Sequence, residues 1–344
     1  MKALITGGAG FIGSHLADEL LRQDHQVTVI DDLSTGQFEN IAHLTNNAKF
    51  HFAIDTVANE AVLDRLTSES DTIFHMAAAV GVKLIVENPV RTIETNIMGT
   101  EAVLKAALRY RTKVIIASTS EVYGKGNSIP FREDDDVVIG PTCRSRWSYA
   151  ASKMVDEFLA LAYFREKGLP IVICRFFNTV GPRQIGRYGM VVPRFIQQAL
   201  RGEPLTVYGD GNQARCFSDV ADVVRATTLL AESPEALGQV FNVGSTEEIT
   251  ILSLARKVLD LARNDNRLPA VGHYETPINN ISLAESAYIK LIDYKDVYDS
   301  GFEDMLRRVP DISKIHGTIG WKPQITLDET LERLIAFYRT HEEL

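Results

Sequence analysis

The chain has 344 residues, 45% hydrophobic and 24% charged, the balance of an ordinary globular protein with room for one large α/β unit or two joined lobes. Its formal net charge of −9 argues against nucleic acid or an anionic membrane as the main partner, although a local basic pocket remains compatible with it. No apolar run approaches the roughly 20 residues that span a bilayer.

In chain order, "KALIT" reads as a buried first strand with no leader-like segment before it, so the expected compartment is cytoplasmic. It runs into "ITGGAGFIG", which sets Gly7, Gly10 and Gly13 ahead of a helix. Glycines there permit a tight turn and let the backbone approach a pyrophosphate at the helix N-terminus. A second strand, "QVTVI", ends in Asp31-Asp32, with Asp31 18 residues beyond Gly13. A carboxylate at that point binds adenosine ribose hydroxyls and repels a 2′-phosphate, so NAD is expected rather than NADP. Asp55 in "FAIDTV" is either an acceptor for the adenine amine or a loop cap.

Further strands are "DTIFHMA", "KVIIAS" and "LPIVICRFF", separated by helices such as 97–109, where Ile97, Thr100, Leu104 and Leu108 recur at helical spacing. Continuous apolar strands with helical crossovers predict a doubly wound parallel sheet covered on both faces. The three cysteines, Cys143, Cys174 and Cys216, have no metal-type spacing and are too few for a disulfide framework; Cys174 reads as a small core residue. The acidic run at 132–136 reads as a solvated loop. After residue 178 glycine and proline punctuation loosens the pattern. A helix at 219–231 and the strand "QVFNVG" return to the sheet, 264–312 is polar and irregular, and a last helix follows "GWKPQ". The expected division is 1–177, with 216–244 returning to it, against a smaller lobe of 178–215 and 245–344.

Two stretches carry chemistry. "VIIASTSEVYG" is an apolar strand that breaks into Ser118, Thr119, Ser120 and Glu121, and burying a carboxylate there is costly without a purpose. "WSYAASKMVDEFLALAYF" reads as a helix with Ala151, Val155, Phe158, Leu159 and Ala162 on its core face. Tyr149 and Lys153 lie four apart and share a face. An ammonium near a phenol favours the phenolate, which makes Tyr149 a base. Tyr-x-x-x-Lys alone is common; after a dinucleotide turn and a hydroxyl-bearing strand end it is a strong signal. Thr119 or Ser118 would then hold the substrate oxygen.

Together "TGGAGFIG", "STSEVYG", "YAASK", "RFFNTVGPR" and "LTVYGDGNQARCFSDVADVV" resemble the extended short-chain dehydrogenases/reductases of the nucleotide-sugar type, over almost the whole chain. The resemblance implies a Rossmann lobe, a smaller C-terminal lobe for a nucleotide diphosphate, NAD retained through turnover, and oxidation of a sugar at C4. It implies Gly7, Gly10, Phe11, Ile12, Gly13, Asp31, Asp32, Asp55, Ala77 and Lys153 at the cofactor. Tyr149, Lys153, Thr119, Ser120 and Glu121 would be catalytic. Asn178, Tyr208, Arg215 and Arg308 would meet a UDP-sugar, the two arginines at the diphosphate or its ribose. For each arginine the alternative is a surface salt bridge, and for Tyr208 core packing. Family members commonly dimerise through the helices matching 97–109 and 149–166, so a homodimer is expected.

The family contains 4-epimerases, 4,6-dehydratases and decarboxylases. An adjacent Asp-Glu pair is the mark of the dTDP-glucose dehydratases, and Ser120 stands at the Asp position here, which weakens that reading. GDP-mannose dehydratases, however, also resemble this chain in carrying Ser/Thr with Glu, so a 4,6-dehydratase stays as the third alternative. "NPVRTIETNIMGT" resembles UDP-xylose synthases, and "RSRWSYAASK" and "GFEDMLRRVPDI" resemble UDP-glucuronate decarboxylases. The expectation is therefore a UDP-glucuronate decarboxylase, with 4-epimerase next and a non-catalytic NAD-binding regulator disfavoured by the intact Thr119, Tyr149 and Lys153. In that reading Glu121 passes a proton to C5 after carbon dioxide leaves or holds the ketone's pucker, with a pKa raised in a water-poor pocket so that it does not repel a substrate carboxylate. The alternative is a carboxylate that merely bonds backbone amides of the loop.

Overall fold

The computed structural model describes residues 1–81, 85, 87–186, 190–263, 287–297 and 305–341. The irregular stretch expected at 264–312 lies mostly outside them. Seven strands form one parallel sheet: β1 (Lys2–Thr6), β2 (Gln26–Asp31), β3 (Phe50–Ile54), β4 (Thr72–His75), β5 (Lys113–Thr119), β6 (Ile171–Phe176) and β7 (Gln239–Val243). Their order is β7-β6-β5-β4-β1-β2-β3. Alternate side chains point to opposite faces, so neighbouring residues divide between two cores. Phe74, Ile115 and Val172 pack on one face, and Ile73, Ile116 and Ile171 on the other. This is why the strands read as unbroken apolar runs.

The strand order reverses between β1 and β4, and a crevice opens at the carboxyl ends of the strands at such a switch point. β1 ends at Thr6, just before Gly7, β4 at His75, two residues before Ala77, and β5 at Thr119, so these candidates lie at that edge.

A third core, with Phe195, Val207, Leu254 and Leu334, builds the second lobe. There a three-stranded sheet sets Ala214–Cys216 between Glu248–Thr250 and Arg307–Arg308. The lobes are not separated by sequence alone. Ile315 and Trp321, far along the chain, pack into the first core beside β7, whose register runs from Gln239 opposite Val172 to Val243 opposite Phe176.

Three expectations change. The helix read at 97–109 runs Pro89–Tyr110, its proline within the first turn, where a preset φ and a missing N–H cost nothing. The helix Ser148–Lys167 does not bury the face its apolar spacing suggests. Tyr149, Ser152, Lys153, Asp156, Glu157 and Ala160 are buried, whereas Val155 and Phe158 are 44% and 68% exposed. Polar side chains face the sheet because that face carries the site. Finally, the acidic run is not merely solvated. Burial raises the Glu133 carboxyl, and it accepts the Asn242 amide of β7 at 2.8 Å.

Candidate active site

The turn after β1 brings backbone very close to backbone. Gly7 has φ +69°, and a Cβ there would lie 2.7 Å from the Ala77 backbone; one at Gly13 would lie 2.3 Å from the Gly7 carbonyl oxygen. No side chain fits in this cradle, which is open to a phosphate at the N-terminus of helix Phe11–Arg22. The Asp31 carboxylate closes the turn, accepting from the Ala9 amide at 2.9 Å and the Leu33 amide at 2.8 Å. Burial pushes its pKa up, and the two amides oppose that push. Asp32 is exposed and accepts from the Ser34 amide at 2.9 Å. Asp55 caps its own loop, accepting from the Thr56 amide at 2.8 Å and the Asn59 side chain at 2.9 Å. Of the two readings for Asp55, the cap is the one the contacts describe.

At the end of β5 the hydroxyls part company. Ser118 donates to Glu157 at 2.5 Å, and Glu157 is forked by Arg175 at 2.9 and 2.7 Å, all buried. Ser118 is therefore committed to the interior and is withdrawn as a substrate-oxygen holder. Thr119 remains, hydrogen-bonded to the Tyr149 phenol. The expected phenolate is not the state this arrangement favours: burial and then the charge of Glu121 push the Tyr149 pKa up, with the Thr119 bond working the other way, and Lys153 is paired with Asp156. Ser120 is 1% exposed, and its hydroxyl makes no hydrogen bond.

Glu121 reverses its expectation. Arg146 grips its carboxylate with both terminal nitrogens, one of them at 3.0 Å from Oε1, and Arg308 reaches the same oxygen at 3.5 Å. Burial alone would raise the carboxyl, but Arg146 and Arg308 outweigh it and hold Glu121 at about 2. It is a carboxylate throughout the neutral range. Arg146 was not singled out from the sequence, although it lies three residues before Tyr149, less than a helical turn away.

Arg308 arrives by register: Arg307–Arg308 pairs parallel with Ala214–Cys216, which puts Arg308 directly across from Arg215. Directly paired residues point to the same face, and each arginine is 6% exposed, so neither is a surface salt bridge. Arg308 also donates to Asn178 at 3.4 Å, and Asn178 donates to the Cys216 carbonyl at 3.0 Å. One cleft between the lobes is lined by Glu121, Arg146, Tyr149, Asn178, Tyr208, Arg215 and Arg308. Tyr208, half-buried, is part of that lining and of no core cluster among the described residues, with the Arg194 guanidinium 4.0 Å from its ring centroid. Four positively charged side chains and one carboxylate make this a cleft for anions.

The chain matches the GDP-mannose 4,6-dehydratase family model over residues 4–334. It is 39% identical over 342 residues to UDP-N-acetyl-α-D-glucosaminuronate decarboxylase of Bacillus cytotoxicus, covering 99% of this chain and 98% of that one. It is 34% identical to UDP-glucuronic acid decarboxylase 1 of Xenopus tropicalis, covering 99% of this chain and 73% of the other. Among solved structures, UDP-glucuronic acid 4-epimerase from Bacillus cereus, in complex with UDP-glucuronic acid and NAD, superposes with a TM-score of 0.83 at 28% identity, covering 99% of this chain and 100% of that one. The glycine cradle, the Tyr149–Lys153 helix and the anion cleft thus sit in a chain that belongs to the GDP-mannose 4,6-dehydratase family, NAD-dependent short-chain dehydrogenase/reductase enzymes that act on nucleotide sugars.

Proposed function

We propose that this enzyme decarboxylates a UDP-hexuronate, UDP-glucuronate or its 2-acetamido analogue, through a 4-keto sugar. The observation that carries the reading is the pairing of Glu121 with Arg146 and Arg308 in the cleft that Tyr149 lines, which leaves excess positive charge there to meet a substrate carboxylate. The two decarboxylases above support it. Residues 178–215 and 245–344 serve as the nucleotide-sugar lobe, with Arg215 towards the diphosphate and Tyr208 towards the base. Arg308, expected beside Arg215 at the diphosphate, is assigned instead to the sugar carboxylate because it meets Glu121.

Gly7, Gly10 and Gly13 would cradle the NAD pyrophosphate, with Phe11, Ile12 and Ala77 around it and Asp31 and Asp32 at the ribose. Bound there, NAD would supply the two-electron oxidant for the C4 carbinol. Thr119 holds the C4 hydroxyl, and Tyr149, aided by Lys153, accepts its proton. The product is a ketone β to the carboxylate. Arg146 and Arg308 fix that carboxylate out of the ring plane, the C5–C6 bond breaks, and its electron pair moves onto the C4 oxygen. Carbon dioxide leaves, and C5 takes up a proton from solvent water, which restores the C4 ketone. An ionised Glu121 does not donate that proton; it orients the two guanidinium groups, a job suited to planar, always-charged forks.

The test is incubation with UDP-glucuronate and with UDP-N-acetylglucosaminuronate, read by mass spectrometry. Loss of carbon dioxide is expected from at least one. Unchanged mass with a C4 epimer appearing overturns the decarboxylase in favour of a 4-epimerase.

A further inference from the structure

The helix Ser148–Lys167 that carries Tyr149 also buries Lys153 in an ion pair whose carboxylate, Asp156, the reaction above leaves without a task. Lys153 Nζ donates to Asp156 Oδ2 at 2.8 Å, with the two side chains 2% and 0% exposed. The groups packed around it do not balance a second charge. From β4 comes His75, 2% exposed, bonded to Thr6 at 2.8 Å and to Thr100 at 3.1 Å, and held neutral at about 3 by burial and by Lys153. The helix Pro89–Tyr110 contributes Thr100 beside Asp156. On the pair's own helix Glu157 is taken by Arg175, and past β5 Glu121 is taken by Arg146 and Arg308. Asp156 is the carboxylate that meets Lys153.

We propose that Asp156 is a positioning residue that keeps the Lys153 ammonium charged and held along the helix, so that Lys153 can favour the Tyr149 phenolate. The proposal rests on the reading of Tyr149 as the base. A buried ammonium stripped of its counter-charge tends to give up its proton. A neutral Lys153 would no longer support the phenolate. Against this, the Asp156 charge itself disfavours the phenolate, so the two effects predict opposite shifts, and we expect loss of the lysine's charge to prevail.

The experiment compares Asp156→Asn with wild type in the first half-reaction, formation of NADH from bound NAD and UDP-sugar, across pH. The acid limb should move up by about one unit, a loss of about tenfold at neutral pH, and Asp156→Glu should recover part of it. A second readout needs no cofactor. A Lys153 that has lost its proton in the folded protein is penalised below the unfolded lysine value, so the urea-stability deficit of Asp156→Asn should shrink as pH rises from about 7 to about 10. In a Lys153→Met background Asp156→Asn should produce neither effect. An acid limb that stays or moves down overturns the proposal, as does an equal effect in the Lys153→Met background. Full turnover by Tyr149→Phe would instead overturn the base reading itself.

Discussion

Glu121 shows how little a residue's identity says about its charge. Its position at a strand end suggested a proton carrier, and two guanidinium groups make it a fixed anion. The sign of the linkage follows. Its folded pKa, about 2, lies below the unfolded value of 4.5, so the pairing contributes fully above about pH 5 and fades as pH falls towards 2. Glu121→Gln leaves Arg146 and Arg308 buried against a neutral group, and losing one partner of a buried pair costs about 3–5 kcal/mol. Urea unfolding at pH 7 should register that loss, and the gap from wild type should narrow below pH 4; an unchanged midpoint at pH 7 would mean the arginines find another anion. Tyr149→Phe removes only the proton acceptor. It should cut turnover by about 10²–10⁴-fold while NAD still binds, as calorimetry beside a rate assay would reveal.

Among the elements, the turn after β1 is the one whose sequence and geometry agree most closely. Its glycines are required because a Cβ at Gly13 would meet the Gly7 carbonyl oxygen at 2.3 Å. Gly13→Ala should therefore weaken NAD binding at least about tenfold, since backbone has to move before a pyrophosphate can approach. With Asp31 closing the turn, NADP should bind far more weakly than NAD; equal affinities by calorimetry would sink the ribose assignment. The helix Ser148–Lys167 teaches the opposite lesson. Its apolar spacing pointed to a buried Val155 and Phe158, but a helix that must present Tyr149 and Lys153 inward buries polar groups and turns those two outward.

That outward face belongs to the whole molecule. Val90 and Met98 on the helix Pro89–Tyr110, 66% and 62% exposed, join Val155 and Phe158 in leaving apolar surface uncovered on two packed helices. Exposed apolar side chains on two packed helices are the kind of surface a partner covers, and we propose a second copy of this chain as that partner. Phe158→Glu should shift sedimentation from dimer to monomer; a wild type that sediments as a monomer at micromolar concentration rules the face out.

What the sequence determined by itself is what depends on neighbours a few residues apart. The apolar strand runs, the glycine turn with its carboxylate one strand later, and the shared face of Tyr149 and Lys153 all follow from fixed local periods, two per strand and 3.6 per helix. Tertiary structure alone decided the electrostatics. Arg308 meets Arg215 because a two-residue strand pairs in one register, and Glu121 is ionised because Arg146 and Arg308 converge on it. Coulomb energies fall with distance and rise with burial, and neither quantity exists until segments distant in the chain are packed together.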